Sequence, residues 1–373
     1  MVYLFPILRR GAALCAAAAV LAIPALADQQ KAPSSVDAYN TVLGTQTIGA
    51  AYQFTKQPKL VETAQAILDM GSHTLKFSLT DDKEHWSDPK PQTLAEVIRR
   101  IAPIKTVLAM PFSNYLLWAY PLAAEAKGQF SPESHDAEYK EMYDLTRALL
   151  QTYIGTGKTF YLGNWEGDWH LTHTNPNYTP TPDEISHMIA WVNTRQKAVD
   201  DAKRDTPHQG VQVYLYLEVN RVVDAMNGKT RMTNDVLPKT NVDFVSYSSY
   251  DSLGSDIGVN LPKALDYIHS QLPPKPNIPG KRVFIGEYGF PAQGRTPQEQ
   301  DALSRQVMRV GLSWGCPFVL YWEMYNNEVT KDGAQRGFWL IDDKNVKQPV
   351  YFTLQEFYAR AQRYVKDFTK AHG

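Results

Sequence analysis

The sequence predicts a single-domain α/β fold, a (β/α)8 TIM barrel, and three observations lead to that prediction. Strand-like and helix-like segments alternate to the end of the chain, and eight strand-like segments can be counted. Repeated alternation of this kind predicts a parallel sheet, and eight such units close into a barrel. Several strands, among them 283–287 and 318–322, are almost continuously apolar. Strands covered on both faces have this pattern.

Hydrophobic periodicity and helix-breaking residues place the individual elements. The segments Thr181-Pro182-Asp183-Glu184 and Thr296-Pro297-Gln298-Glu299 have the proline and acidic residues typical of a helix start. The segment after the fifth strand is short and poorly defined. The predicted strands are 47–54, 73–79, 106–112, 159–165, 211–219, 242–247, 282–287 and 318–323, and the predicted helices are 59–70, 93–101, 134–153, 181–203, 262–271, 296–314 and 352–368.

An open, doubly wound sheet is the main alternative to the barrel. Such a sheet has a glycine-rich phosphate turn after its first strand. The corresponding turn in this chain contains Tyr52-Gln53-Phe54 and no such signature. The pattern therefore favours the closed barrel.

Composition and charge exclude several classes of partner. The chain has 373 residues, of which 43% are hydrophobic and 21% charged, and its formal net charge is -1. This balance gives no support for electrostatic capture of nucleic acid or of an anionic membrane. The oligomeric state is left open by the sequence.

The N-terminus resembles a secretory signal peptide. Arg9 and Arg10 precede an apolar run at 11–23, and Ala25-Leu26-Ala27 forms a cleavage pattern. We expect residues 1–27 to be removed, which leaves a barrel domain at 28–373 that is periplasmic or secreted and free of the membrane. Only Cys316 would remain in that domain, so no intramolecular disulfide is expected.

The chemistry of a barrel is expected at the C-terminal ends of its strands. Those ends are rich in Glu, Asp, Asn, Tyr and Trp. They contain no glycine-rich phosphate loop, no zinc-ligand spacing and no nucleophilic serine turn. The pattern predicts a cleft of carboxylates and aromatic rings that needs no metal or cofactor.

Two glutamates stand out because they end apolar strands: Glu166 after strand four and Glu287 after strand seven. A buried carboxylate is costly without partners, which makes Glu287 a functional candidate. Strands four and seven lie across the barrel mouth, so both side chains could approach one sugar. Glycoside hydrolysis uses such a carboxyl pair. The alternative is a structural ion pair, for example with Lys76 or Arg221.

Three short segments resemble a known group of enzymes: Asn164-Trp165-Glu166, Gly286-Glu287-Tyr288-Gly289 and Tyr321-Trp322. The chain is similar to the clan of retaining (β/α)8 glycoside hydrolases that includes cellulase-like, xylanase-like and β-glycosidase enzymes. The resemblance implies that Glu287 is the nucleophile and Glu166 the acid/base. It also implies that Trp322 floors the sugar site and that Tyr247 or Tyr250 hydrogen-bonds the nucleophile.

One departure from that clan concerns the residue before the acid/base glutamate. An asparagine that binds the sugar normally stands there, whereas Trp165 separates Asn164 from Glu166. Three alternatives remain: a bulge at the strand end, a proton donor at Asp168, or a barrel that no longer does this chemistry. Trp165, Trp169 and Asn220 are further candidates for substrate contact.

The function predicted from the sequence is hydrolysis of O-glycosidic bonds in a polysaccharide or oligosaccharide by two carboxyl groups. A non-catalytic, glycan-binding barrel is the first alternative, motivated by the unusual spacing after strand four. Another barrel enzyme, a lyase or an isomerase, is the second, because fold alone does not decide the chemistry.

Overall fold

A computed structural model describes residues 35–372 except 82, 87, 128 and 129. The predicted signal peptide at 1–27 lies outside the described residues and stays a prediction. The described residues form one compact unit. None of the helices in this part of the chain is long and apolar enough to cross a membrane.

Eight parallel strands close into a barrel in sequence order, and the last strand pairs with the first. This confirms the predicted (β/α)8 class. The strands are β1 Leu43–Thr47, β2 Thr74–Ser78, β3 Asn114–Trp118, β4 Thr159–Gly163, β5 Gln212–Val219, β6 Phe244–Ser248, β7 Val283–Tyr288 and β8 Val319–Tyr321.

Helices surround the barrel. Those that begin at Pro182 and Pro297 have the predicted start, because Thr181 and Thr296 each form a capping box with the glutamate three residues later. The described helices are α1 Ser35–Tyr39, α2 Lys59–Met70, α3 Leu94–Arg100, α4 Ala102–Ala109, α5 Leu122–Glu125, α6 His135–Thr152, α7 Gly167–Leu171, α8 Pro182–Asp205, α9 Val222–Met226, α10 Ile257–Gln271, α11 Pro297–Trp314 and α12 Pro349–His372.

The core has two parts. One lies between the strands and the outer helices. The other fills the inside of the barrel and is largely aromatic, with Tyr161, Tyr216, Phe244, Phe284 and Phe318 among its members. Rings of this size leave no pore, so the barrel interior is solid below the strand ends.

Two predicted strands were wrong. Residues 106–112 were expected to be strand three, but Ala102–Ala109 is a helix and the strand is Asn114–Trp118. Pro103 occupies the first turn of that helix, and Ile104, Val107 and Leu108 are buried along it with helical spacing.

The first strand was also misplaced, since it covers Leu43–Thr47 and not 47–54. It contains Gly44, Thr45 and Gln46, all of them in a strand that is buried throughout. Polar residues inside a barrel do not produce the apolar run that marks the other strands. In addition, α10 begins at Ile257, five residues before the predicted start, and includes Pro262.

Gly163 is required by close packing inside the barrel. A Cβ at this position would lie 2.1 Å from Cζ of Tyr216. The Tyr216 ring is fully buried and packs against Phe284. It therefore cannot move aside without disturbing the aromatic core.

We expect Gly163→Ala to lower the free energy of unfolding by about 1–3 kcal/mol, because it overpacks the barrel. Urea denaturation monitored by circular dichroism measures this change. Gly258→Ala is the matched control: its Cβ would approach only Asp256 Oδ1, at 3.9 Å, within a helix. That control should raise stability by about 0.4–1 kcal/mol. Equal stabilities for the two variants would contradict the packing account.

Candidate active site

A cavity of about 610 Å³ opens at the C-terminal ends of the strands. Its volume is in the range of small-molecule sites. The lining combines aromatic rings with carboxyl groups and one guanidinium. Its residues are Ile48, Trp118, Trp165, Glu166, Tyr250, Glu287, Trp322, Asn327, Glu328, Arg336 and Phe338.

A buried network of charges lies directly beneath this cavity. Lys76 Nζ of β2 is 2.8 Å from Glu218 Oε2 of β5 and 2.9 Å from Glu287 Oε1 of β7. The ammonium also donates to the carbonyl of Gly286 at 3.2 Å. The hydroxyl of Ser246 donates to Glu218 Oε2 at 2.7 Å. One cation thus joins three strands and two carboxylates in a site from which water is excluded.

The network sets the protonation of Glu287. Burial raises the pKa of Glu287 to about 7, while the Lys76 ammonium opposes that rise and the Glu218 carboxylate adds to it. Burial alone would lower the pKa of Lys76, but the two carboxylates outweigh it and the pKa is raised. Lys76 therefore keeps its charge, and that charge favours the ionised form of Glu287.

Glu166 lies in a different environment. Burial, followed by the carboxylates of Glu287 and Glu218, raises the pKa of Glu166 to about 9. No cation contacts it among the described residues. Its side chain accepts one long hydrogen bond from Asn220 Nδ2 at 3.4 Å, and the side chains of Ser248 and Trp169 offset the rise of its pKa only in part. Glu166 therefore holds its proton over a pH range in which Glu287 is ionised.

Ser248 lies near both carboxyl groups, because its hydroxyl lowers the pKa of Glu166 and that of Glu287. No hydrogen bond of normal geometry reaches this hydroxyl from the described residues. The Ser248 hydroxyl therefore acts as a nearby dipole that favours the ionised form of each carboxyl group. This hydroxyl thus lies within reach of both carboxyl groups.

The end of β4 explains the unusual spacing of Asn164. The strand stops at Gly163 and α7 starts at Gly167, so residues 164–166 form an irregular turn. Asn164 Nδ2 donates to the carbonyl of Trp165 at 3.2 Å, and its Oδ1 accepts the N–H of Glu218 at 3.2 Å. The amide of Asn164 holds the backbone, and Asn164 is not among the residues that line the cavity.

Asp168 is fully buried and does not line the cavity. Its carboxylate accepts the backbone N–H groups of Asn220 at 2.9 Å, Arg221 at 3.1 Å and Met232 at 2.8 Å. These bonds tie the turn after β4 to the segments after β5. The structure therefore favours Glu166 over Asp168 as the carboxyl group that faces the cavity.

The structure brings together Trp165, Glu166, Tyr250, Glu287 and Trp322 around one cavity. Three other predicted contact residues lie outside its lining. The hydroxyl of Tyr247 donates to Asp251 Oδ1 at 2.5 Å, so it does not bond the nucleophile. The Trp169 ring packs under the guanidinium of Arg221. Asn220 Nδ2 donates to Glu166 Oε2 at 3.4 Å from outside the cavity lining.

Several lining residues were not identified from the sequence. Trp118 was missed because strand three was misplaced. Glu328, Arg336 and Phe338 come from the long segment between β8 and α12, whose course no periodic pattern indicates. Glu328 and Arg336 form an ion pair at 2.5 Å on the cavity rim. Lys76 was considered only as a structural partner of Glu287.

Within the described part of the chain, no group of three or more His, Cys, Asp or Glu side chains is arranged to hold a metal ion. The two acidic side chains of the cavity floor are instead neutralised by Lys76 and by proton binding.

No protein-family profile matches the sequence, and no curated protein matches it. Solved structures do resemble the fold. An exo-beta-1,4-mannosidase from Opitutaceae bacterium strain TAV5 is 13% identical, with a TM-score of 0.56 over 87% of this chain and 60% of that one. A GH5_18 protein from Streptomyces cattleya, in complex with GlcNAc, is 11% identical, with a TM-score of 0.59 over 86% of this chain and 80% of that one.

The AHE enzyme from Alicyclobacillus herbarius is 12% identical, with a TM-score of 0.54 over 87% of this chain and 97% of that one. This chain spans about 60% of the length of the mannosidase. At such identities the likeness concerns the fold, which agrees with the resemblance predicted from the sequence.

The raised pKa of Glu166 makes stability depend on pH. In the unfolded chain this carboxyl ionises near 4.5, whereas in the folded protein it keeps its proton until about 9. Its contribution to stability is therefore fully present below pH 4.5 and is lost as pH rises toward 9. The free energy of unfolding of the wild type should therefore fall between pH 5 and pH 8. We expect this fall to be smaller in Glu166→Gln, by about 1–3 kcal/mol.

Urea denaturation of both proteins at the two pH values measures this difference. Glu356→Gln is the control, because Glu356 is exposed on α12 and paired only with Arg360. An identical pH dependence in wild type and Glu166→Gln would contradict the raised pKa.

Proposed function

We propose that the protein is a retaining glycoside hydrolase in which Glu287 is the nucleophile and Glu166 the general acid and base. The observation that carries the proposal is the pairing of two carboxyl groups in one cavity with different protonation. Glu287 is held toward its ionised form by Lys76, and Glu166 is held protonated by burial and by its acidic neighbours. Such a split assigns the two roles.

In the first step, the Glu287 carboxylate attacks the anomeric carbon of the sugar. The bond from that carbon to the leaving oxygen breaks, and Glu166 transfers its proton to this oxygen. A covalent glycosyl ester on Glu287 and a free alcohol result. The loss of the negative charge on Glu287 leaves Lys76 paired mainly with Glu218.

In the second step, Glu166 is ionised and accepts a proton from a water molecule. The water oxygen attacks the anomeric carbon, and the ester bond to Glu287 breaks. Glu287 leaves as a carboxylate beside Lys76, at 2.9 Å. The cation therefore stabilises the leaving group of this step and restores the starting state. The retaining course is the one implied by the resemblance of the segments around Glu166 and Glu287 to the retaining clan.

The cavity walls suit a carbohydrate. The ring centroids of Trp118 and Trp322 lie 6.3 Å apart, with an interplanar angle of 32°. Three further aromatic side chains line the cavity: Trp165, Tyr250 and Phe338. Apolar faces of sugar rings stack on such walls, while carboxyl groups bind hydroxyls. Similar folds include a mannosidase and a protein in complex with GlcNAc, which supports the same class of substrate.

The proposal predicts covalent trapping on Glu287. The protein is incubated with 2,4-dinitrophenyl 2-deoxy-2-fluoro-β-glycosides of glucose, mannose, galactose and xylose. The fluorine slows both steps, and the dinitrophenolate leaving group speeds only the first, so the intermediate accumulates. We expect one glycosyl group per protein, located on Glu287 by peptide mass spectrometry. Glu287→Gln should remain unlabelled. Glu166→Gln should still be labelled, because dinitrophenolate leaves without a proton.

An adduct on another residue would contradict the assigned nucleophile. Turnover with an inverted product, observed by proton NMR of the first anomer released, would contradict the retaining mechanism. Tight binding of sugars with no turnover of any dinitrophenyl glycoside would favour a glycan-binding barrel.

A further inference from the structure

The peptide group that joins Trp165 to Glu166 is held at both ends. Its carbonyl accepts the Tyr120 hydroxyl at 3.3 Å and Asn164 Nδ2 at 3.2 Å. Its N–H donates to Glu218 Oε1 at 3.1 Å. The Tyr120 hydroxyl also accepts the N–H of Trp165, at 2.7 Å. The backbone immediately before Glu166 is thereby fixed in an irregular turn.

Tyr120 is itself oriented by His170. The hydroxyl of Tyr120 lies 3.0 Å from His170 Nε2. Burial lowers the pKa of His170 to about 4, so the imidazole is neutral. With its proton on Nε2 it donates to the Tyr120 hydroxyl, whose own proton is then available to the Trp165 carbonyl. Burial raises the pKa of Tyr120, so the phenol keeps its proton as a donor. A neutral pair of this kind holds one geometry over the whole working pH range.

The pair is partly buried and lies against other aromatic rings. His170 contacts Trp165 edge-on at 5.9 Å and Phe130 at 4.8 Å. His170 belongs to α7, the helix that starts directly after Glu166. His170, which follows Glu166 in the chain, thus contacts Tyr120, and Tyr120 in turn binds Trp165, the residue before Glu166.

Glu166 needs this support because its own side chain has little. Among the described residues, Asn220 donates one long hydrogen bond to its carboxyl group, and Ser248 and Trp169 affect its pKa less than burial does. A general acid must lie within hydrogen-bond reach of the leaving oxygen. Its position therefore depends on the backbone that carries it.

We propose that Tyr120 is a positioning residue for the general acid, acting through the Trp165–Glu166 peptide group and held in place by His170. The inference rests on the proposed function, since it assigns Tyr120 a part in proton donation by Glu166. Tyr120 lies outside the cavity lining, in the loop that follows β3.

The test uses leaving groups that differ in their need for a proton. In Tyr120→Phe, kcat/KM is compared for phenyl and 2,4-dinitrophenyl β-glycosides of the sugar that the wild type hydrolyses. We expect a loss of about tenfold or more for the phenyl glycoside, since general acid catalysis contributes about 100-fold to 10,000-fold. The dinitrophenyl glycoside should change less than about twofold, because its leaving group needs little protonation.

Tyr115→Phe is the matched control. Tyr115 lies on β3, five residues before Tyr120, and is fully buried. Its hydroxyl lies 2.7 Å from the carbonyl of Met110 and 2.9 Å from that of Val107, and it accepts from Lys158 Nζ at 3.2 Å. This variant loses comparable bonds to backbone carbonyls in the helix layer. It should leave the ratio of the two kcat/KM values unchanged.

His170→Phe provides a second test if Tyr120→Phe does not fold. It removes the hydrogen-bond partner that orients the Tyr120 hydroxyl and keeps a ring, so a smaller but equally selective loss is expected. A parallel loss on both glycosides in either variant would overturn the positioning role and leave the proposed function standing. Absence of turnover of any aryl glycoside by the wild type would overturn the proposed function and this inference together.

Discussion

The ammonium of Lys76 is the interaction on which the rest of the site depends. It is fully buried, and it lies within 3 Å of carboxylates on two other strands. Removing one partner of such a group leaves an unpaired charge in a medium of low dielectric, which costs several kcal/mol. The barrel can place Glu218 and Glu287 in its interior only because Lys76 is between them.

The two carboxyl groups of the cavity are connected through the same network. Glu287 contacts Lys76 directly, whereas Glu166 is linked to it through its backbone, whose N–H binds Glu218. Glu218 therefore serves both sides: it balances the charge of Lys76 and anchors the turn of Glu166. The negative charge that it adds also raises the pKa of Glu166. The Glu218 carboxylate thus contributes both to the position of Glu166 and to its raised pKa.

Much of the fold could be predicted from the sequence, because most strands are apolar on both faces and most helices have clear start signals. The two misplaced strands have local causes. Residues 102–112 contain enough apolar side chains for either structure, and the first strand has polar side chains inside the barrel. Boundaries depend on tertiary packing that a local pattern does not contain.

The site was predictable to the extent that it lies at strand ends. Glu166 and Glu287 were identified from their positions after apolar strands, and both face the cavity. Asn164 and Asp168 could not be judged in this way, since their bonds to Glu218, Asn220 and Met232 join distant parts of the chain. Arg336 and Phe338 come from a long loop whose path only the folded structure defines.

The most direct test of the central claim is a titration of the two carboxyl groups in the folded protein. Glutamate labelled with ¹³C at the side-chain carboxyl is followed by NMR, and the two signals are assigned with Glu166→Gln and Glu287→Gln. The split roles require Glu287 to lose its proton at a lower pH than Glu166, with both groups titrating above 4.5. Ionisation of Glu166 near pH 4.5, or before Glu287, would contradict the assignment of acid and nucleophile.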